Sequence, residues 1–387
     1  MIDTVVLIIQ EDDFDIIDHD KFTPSTRNAK KKQHHKIGWK TPLIYKSNAS
    51  ETLKNKYGYL PRITIIKSRQ TTGIKVILKV EFSAPKILHG NNFDELTDED
   101  LDIVIERLRF ALMLMGVNTT TEILKHANVS AIHYSKNIPL SGYTTSRMLI
   151  NELQKQDLNM ILDLTKTDYI NGGQSLRIHA NCYEIIFYDK VKDLQRSRIS
   201  IKRCIENQDN YQRDLTNSFL AGIEVVRMEV RLNTKAKINS IINKIGLESD
   251  NVFKNLFKML ISKKILVYFW SLIRKNMYLA CVAQEQPENI LDQLLRSKKP
   301  KKALEMIGAL CVINNIGVRG LGNLITSYYS TSNWYSIRKN LKEADYEVNN
   351  RLESVRIFDE GLDDFKPIKI TKPREENESS TICKSFK

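Results

Sequence analysis

The sequence predicts an α+β fold, in which an antiparallel sheet flanked by helices precedes a helical C-terminal domain. In the first 235 residues, several segments alternate apolar and polar residues with period two, as strands with one solvated face do. After residue 235 the apolar residues recur with helical spacing. This change of period indicates a sheet-containing N-terminal part and a helical C-terminal part.

The individual elements follow from the same patterns and from turn and cap residues. Strands are predicted over 2–10, 62–66, 73–82, 127–134 and 222–232, with a hairpin over 175–191. A helix is predicted over 97–115, because Thr97 can cap its start and Gly116 can end it. Another runs from Thr144 or Thr145 to about 155. The C-terminal helices are predicted at 249–261, 265–273, 287–296, 301–315, 319–328 and 331–344.

Four regions result from these predictions. Residues 1–235 form the sheet domain and 236–295 a helical connecting region. Residues 296–355 form a helical domain, whose helices either read DNA as a helix-turn-helix or only pad the core. Residues 356–387 are polar and are predicted to be a disordered tail. The basic segment 27–40 is predicted to be a mobile hairpin tip.

Charge and cysteine content restrict the function. The 387 residues include 59 Lys and Arg and 46 Asp and Glu, for a formal net charge of +13, which favours a polyanionic partner such as nucleic acid or an anionic membrane face. No apolar run reaches the roughly 18 residues of a membrane-spanning helix, and no basic segment precedes the first apolar run as in a signal peptide. The five cysteines include no CxxC pair, which argues against a thiolate zinc site and a disulfide framework and favours a reducing cytoplasm.

Tyr188 is the sharpest candidate for chemistry. It ends a predicted strand, two residues before Lys190. A phenolate can attack a phosphodiester, but a free phenol has a pKa of about 10 and needs a neighbouring ammonium or a metal ion. A half-buried strand tyrosine without catalytic function is the alternative interpretation.

A charged strand and two histidines could complete such a site. Alternation places Arg227, Glu229 and Arg231 on one face, where Glu229 could bind a metal and the arginines phosphates, or where all three could simply be solvated. His133 and His179 lie on other predicted strands and could be metal ligands or ordinary hydrogen-bonded histidines.

Together these segments resemble the replication initiators of the filamentous-phage gene II/gene X family, which also occur in related plasmids and prophages. The resemblance covers roughly residues 1–350. It rests on Met1-Ile2-Asp3, the segment 80–92 with Lys86, Val129 to His133, Phe187 to Lys190, Val226 to Arg231, and the helical segment 301–345 with Gly317, Trp334 and Tyr335.

The resemblance implies an HUH-like replication-initiator nuclease fold and rolling-circle replication. Such an enzyme nicks one strand at an origin, stays joined to the 5′ phosphate and later rejoins the displaced strand. It implies Tyr188 as the nucleophile, Lys190 as its assistant, and Glu229 as a ligand of Mg²⁺ or Mn²⁺. His133 stands where the phage proteins have an aspartate, which favours Mn²⁺, and His179 is a possible third ligand.

The implied partners are double-stranded and single-stranded origin DNA, host helicase and host polymerase, in the cytoplasm of a bacterial host and without a membrane. The residues expected to contact DNA are Arg227, Arg231, Lys86, Lys136, Lys298 and Lys299. Three alternatives remain open: a conjugative or mobilisation relaxase, a non-enzymatic DNA-binding regulator, and an RNA-binding or structural protein.

Overall fold

The computed structural model describes residues 1–25, 42–47, 49–70, 73–157, 164–170, 175–196, 222–248, 250–275, 277–344, 346 and 352–370. The predicted hairpin tip at 27–40 lies outside these residues.

The described part of the chain forms one large antiparallel sheet of ten strands, in the order β3-β4-β5-β6-β1-β8-β12-β11-β10-β9. A separate two-stranded sheet pairs β2 with β7. The strands are β1 (Ile2–Gln10), β2 (Asp15–Ile16), β3 (Thr23–Pro24), β4 (Leu43–Ser47), β5 (Arg62–Gln70), β6 (Gly73–Ser83), β7 (Val117–Asn118), β8 (Asn128–Leu140), β9 (Leu164–Ile170), β10 (Ser175–Ala180), β11 (Tyr183–Asp189) and β12 (Glu224–Leu232).

Fourteen helices are described. They are α1 (Glu51–Tyr57), α2 (Ala84–His89), α3 (Leu101–Leu114), α4 (Thr121–His126), α5 (Ser146–Gln154), α6 (Lys190–Arg196), α7 (Lys235–Lys244), α8 (Phe253–Leu256), α9 (Met259–Arg274), α10 (Tyr278–Val282), α11 (Pro287–Ser297), α12 (Pro300–Tyr328), α13 (Thr331–Glu343) and α14 (Glu353–Asp364). The predicted antiparallel sheet, its helices and the helical C-terminal part are thus confirmed as a mixed α/β architecture. The sequence patterns did not predict strands β2, β3, β4, β7 and β9 or helices α1, α2, α4, α6, α10 and α14, and they placed α7 only within a helical region.

The sheet has one face in the protein interior, which we call the core face. Val5, Phe82, Phe187 and Met228 point into it and are fully buried. Helices α9 and α14 cover this face, since Trp270 and Phe358 pack against Phe187 with ring centroids 6.0 and 5.9 Å away. The opposite side of the sheet, which we call the site face, carries the polar residues described below.

The C-terminal helices form a second hydrophobic core. It extends from Leu279 to Tyr346, whereas α7 and α9 belong to the core of the sheet. The segment predicted as a connecting region at 236–295 is therefore divided between the two cores. Asp157 links them, because its carboxylate accepts hydrogen bonds from Arg338 (2.8 Å) and Trp334 (3.3 Å).

Helix α12 is long and apolar enough, by length and composition, to cross a membrane. It is interrupted at Gly317, whose φ of 80° and ψ of 167° are not helical. A side chain here would also collide with Lys155, since a Cβ atom would lie 2.5 Å from its Cβ. The two straight parts are therefore about 25 and 16 Å long, each shorter than the roughly 30 Å hydrocarbon layer.

The predicted disordered tail at 356–387 is wrong for its first part. Helix α14 extends to Asp364, with Val355, Phe358 and Leu362 buried. The segment after it, Lys366 to Ile370, lies against Asp94 and Glu95: the Ile368 amide donates to Glu95 Oε2 (3.0 Å) and the Ile370 amide to Asp94 Oδ1 (2.7 Å). We call residues 366–370 the C-terminal strap. Residues 371–387 lie outside the described part.

Candidate active site

Strand pairing brings four of the predicted site residues to the same face of the sheet. In antiparallel strands, directly opposed residues point to the same side. Tyr188 on β11 is opposite Arg227 on β12, and Arg231 on β12 is opposite His133 on β8. The alternation predicted from the sequence therefore agrees with the arrangement of these four residues.

A group of three possible metal ligands lies at the centre of this face. The ligand atoms of Asp3, His133 and Glu229 all lie within 4.8 Å of one another. Two carboxylates and an imidazole form a donor set that suits Mn²⁺ or Mg²⁺. The oxygen Asp3 Oδ1 is buried and accepts no hydrogen bond from the described residues, although Arg227 Nη1 lies 3.6 Å away.

A β-bulge aims Asp3 at this group. Ile2 is opposite Tyr134, but Thr4 is opposite His133, so β1 has one extra residue at Asp3. Bulges of this kind redirect a side chain without ending the strand. Without the bulge, alternation would point Asp3 away from Thr4 and His133, into the core.

The pKa values of two ligands are compatible with metal binding. Burial lowers the pKa of His133, so its imidazole is neutral at physiological pH and can coordinate. Burial alone would raise the pKa of Asp3, but the positive charges of Arg227 and Lys190 outweigh it, and the pKa of Asp3 lies below its usual value. Asp3 is therefore an anion.

Tyr188 lies at the edge of this group. Its hydroxyl oxygen is 3.4 Å from Glu229 Oε2, to which it donates a long hydrogen bond. The side chain is half-buried. Burial raises the pKa of Tyr188 well above 10; Arg227 lowers it and the charge of Glu229 raises it further. The phenol of Tyr188 is therefore protonated unless a further positive charge nearby lowers its pKa.

Lys190 is completely buried beside Tyr188. Its Nζ lies 5.6 Å from the centroid of the Tyr188 ring and 3.3 Å from Asp193 Oδ2. Burial lowers the pKa of this ammonium to about 8, and Arg227 lowers it while Asp193 raises it. The buried ammonium of Lys190 can thus lose its charge near pH 8.

Arg227 is part of the site but not of its surface. The side chain is only 1% exposed, and Nη1 donates to the carbonyl oxygen of Asn92 at 2.7 Å and lies 3.6 Å from Asp3 Oδ1. The predicted contact of Arg227 with DNA is therefore at odds with this structure. Its buried guanidinium instead forms an ion pair with Asp3.

Arg231 connects two carboxylates. Its Nε donates to Glu229 Oε1 at 2.7 Å, and its Nη1 to Glu184 Oε2 at 3.4 Å. Glu184 also lies 3.4 Å from His179 Nδ1. His179 therefore lies beside Glu184 and not in the metal-ligand group. The guanidinium of Arg231 is paired with two carboxylates, which opposes its predicted contact with DNA.

The buried position of Lys136 contradicts its predicted role as a DNA contact. It is opposite Met228, so it points to the core face, one position out of phase with His133. Its ammonium is buried, 2.6 Å from Glu95 Oε2 and 2.7 Å from the carbonyl oxygen of Lys366. Alternation along β8 would have separated Lys136 from the site.

The other predicted DNA contacts lie elsewhere. Lys86 is half-buried on α2, with Nζ 5.9 Å from the centroid of the Tyr59 ring. Lys298 and Lys299 form the turn between α11 and α12, next to the second core, and Lys299 is exposed.

Two residues of the site, Asp3 and Glu184, were not predicted. Asp3 is the single charged residue in the apolar run from Ile2 to Ile9, and that interruption was the available signal. Glu184 shares its strand face with Tyr188, so period-two alternation would have indicated it.

Comparison of this chain with protein-family models, curated proteins and solved structures found no match in any of the three.

Proposed function

We propose that this protein is a metal-dependent DNA strand-nicking and strand-joining enzyme that initiates rolling-circle replication. The observation that carries the proposal is the 3.4 Å contact between the Tyr188 hydroxyl and Glu229, itself one of three clustered metal ligands. A nucleophile and a cation site would thus act on the same phosphate. The resemblance to the gene II/gene X initiators, and with it a variant of the HUH-like nuclease fold, is part of this proposal.

The proposed reaction is a transesterification. The Tyr188 phenol gives up its proton to water and its oxygen attacks phosphorus. The bond from phosphorus to the 3′ oxygen breaks, and that oxygen takes a proton from water and leaves as a 3′ hydroxyl. The protein then carries the 5′ phosphate as a phosphotyrosine diester. Because the diester is retained, attack by a 3′ hydroxyl reverses the step and rejoins the strand without a nucleotide cofactor.

The residues around Tyr188 have distinct roles in this scheme. Asp3, His133 and Glu229 would hold Mg²⁺ or Mn²⁺, which supplies Lewis-acid polarisation of the scissile phosphate. Glu229 also accepts the hydrogen bond that orients the phenol. The buried cations Lys190 and Arg227 provide positive potential beside the charge that develops on the phosphate.

A covalent-adduct assay tests the proposal. The protein is incubated with Mn²⁺ and a labelled single-stranded oligonucleotide containing the origin, and the adducted peptide is mapped. We expect the label on the peptide containing Tyr188, and no adduct from Tyr188→Phe or in EDTA.

Tyr183→Phe is the matched control. Tyr183 is on the same strand but faces the core, where its ring packs 5.2 Å from that of Phe269. The variant should form adducts like the wild type. Adducts from Tyr188→Phe would refute the assignment of the nucleophile, and DNA binding without adduct from the wild type would favour a non-enzymatic regulator.

A further inference from the structure

We propose that the site face of the three strands β4, β5 and β6 is a track for single-stranded DNA that leads to the metal-ligand group. The proposal rests on the proposed function and adds the path of its substrate. It concerns strands on the other side of β1 from Tyr188.

These three strands are strongly basic. They contain a single acid, Glu81, and six cations: Lys46, Arg62, Lys67, Arg69, Lys75 and Lys79. Glu81 pairs with Arg62 at 3.2 Å, which neutralises both. The remaining positive charge favours a polyanion.

Strand register places three of the lysines on the site face. Lys79 is opposite both Ile8 on β1 and Thr64 on β5, and Thr64 is in turn opposite Lys46 on β4. Lys75, two pairs further along, is opposite Ser68. Lys46 and Lys75 are exposed and Lys79 is half-buried.

A row of isoleucines lies between these lysines. Ile77 is opposite Ile66, and Ile66 is opposite Ile44. All three are half-buried, although they point away from the core that Leu78 and Val80 enter. The face thus presents an apolar row flanked by rows with cations.

This alternation suits a single strand better than a duplex. In a single strand, bases can lie against apolar side chains while phosphates contact the flanking lysines. A duplex would offer only its phosphates to a flat surface and would leave the isoleucines in contact with water. At about 4.8 Å per strand, the face extends about 15 Å from β1, enough for a few nucleotides.

Tyr59 and Lys86 lie where β6 approaches the start of β1, which carries Asp3. The Tyr59 hydroxyl accepts a hydrogen bond from the amide of Ser83 at 2.8 Å, and Ser83 is opposite Thr4, next to Asp3. Lys86 Nζ lies 5.9 Å from the centroid of the Tyr59 ring. Tyr59 and Lys86 are thus positioned at the end of β6 that is paired with the start of β1.

Fluorescence anisotropy tests this path. Labelled dT16 is titrated with the full-length protein in EDTA, at several salt concentrations, so that neither metal nor nicking is required. Three lysines are neutralised together in Lys46→Gln/Lys75→Gln/Lys79→Gln. The control Lys244→Gln/Lys254→Gln/Lys258→Gln removes the same charge from exposed positions on or beside the helices α7, α8 and α9.

Each phosphate contact contributes about −0.7 to the slope of log K against log salt for single strands, or about fivefold in affinity at 0.1 M salt relative to 1 M. We expect the track variant to lose about 10–100-fold in dT16 affinity and about 2 units of slope, and the control to change little. Equal losses in both triple variants, or none in the track variant, would overturn the proposal. Tighter binding of a 16-bp duplex through the same lysines would overturn the assignment to single strands.

The outcome is independent of the nicking chemistry. Loss of dT16 binding in the track variant together with an inactive wild-type enzyme would support the track and reject the proposed function.

Discussion

The hydroxyl of Tyr188 meets the carboxylate of Glu229 across neighbouring strands, at 3.4 Å. Because the charge of Glu229 contributes to the raised pKa of Tyr188, a divalent cation on Glu229 would oppose that effect. The same carboxylate thus links phenol ionisation to metal binding.

The rate of adduct formation should depend on pH in two phases. Below pH 8 the phenolate fraction, and with it the single-turnover rate in saturating Mn²⁺, should rise about tenfold per pH unit, because the pKa of Tyr188 is higher. Near pH 8 the rise should flatten, because Lys190, with a pKa of about 8, loses the charge that assists the reaction. In Lys190→Arg, which stays charged, the rise should continue. A rate independent of pH below 8 would contradict attack by the phenolate.

Asp3 should be needed for metal binding. Asp3→Asn removes one of two carboxylate ligands, and we expect Mn²⁺ affinity, measured by calorimetry, to fall by at least the roughly 10–100-fold that the loss of a supporting residue costs. Asp102→Asn is the control, because Asp102 is exposed and its ion pair among the described residues is with Lys125 at the surface. Unchanged Mn²⁺ affinity in Asp3→Asn would exclude Asp3 from the site.

Glu184 should act on the metal site through Arg231. Glu184→Gln weakens the hold on Arg231, which orients Glu229. We expect about tenfold weaker Mn²⁺ binding with an unchanged melting temperature, and partial recovery in Glu184→Asp. A lower melting temperature with normal Mn²⁺ affinity would instead indicate a purely structural role.

Lys136 should matter for stability rather than for DNA. Lys136→Met leaves Glu95 without its buried cation, and breaking such a pair costs about 3–5 kcal/mol of unfolding free energy. Lys339→Gln, which removes an exposed partner of Glu343, should cost no more than about 1 kcal/mol. Urea unfolding measures both. A stable Lys136→Met protein that had lost DNA affinity would restore the original prediction for this residue.

Much of the fold was predictable because strand and helix periods are local. The period-two pattern of β12 placed Arg227, Glu229 and Arg231 on one face, as they are in the structure. Helix α14 was missed because the predicted polar tail begins at residue 356, within this helix. Its apolar residue Val355 lies before that boundary, and Phe358 and Leu362 lie after it among polar residues.

The site was harder to predict because it depends on contacts between residues that are far apart in the sequence. Whether Arg227 is a surface residue depends on the loop that supplies the Asn92 carbonyl, far away in the sequence. The bulge at Asp3 depends on pairing with β8 and leaves no mark in the sequence of β1 itself. Sequence patterns indicate the face of a strand but not what covers it.

The C-terminal strap has a consequence for synthesis on the ribosome. The last described strand ends at Leu232, but Glu95 is 273 residues from Ile368, the amide of which it binds. At about 5–20 residues per second, the nascent chain spends on the order of ten seconds with all the described strands made and this buried carboxylate still without the Ile368 amide. Premature termination in that interval would release a product whose acidic turn at Asp94 and Glu95 is left unsealed.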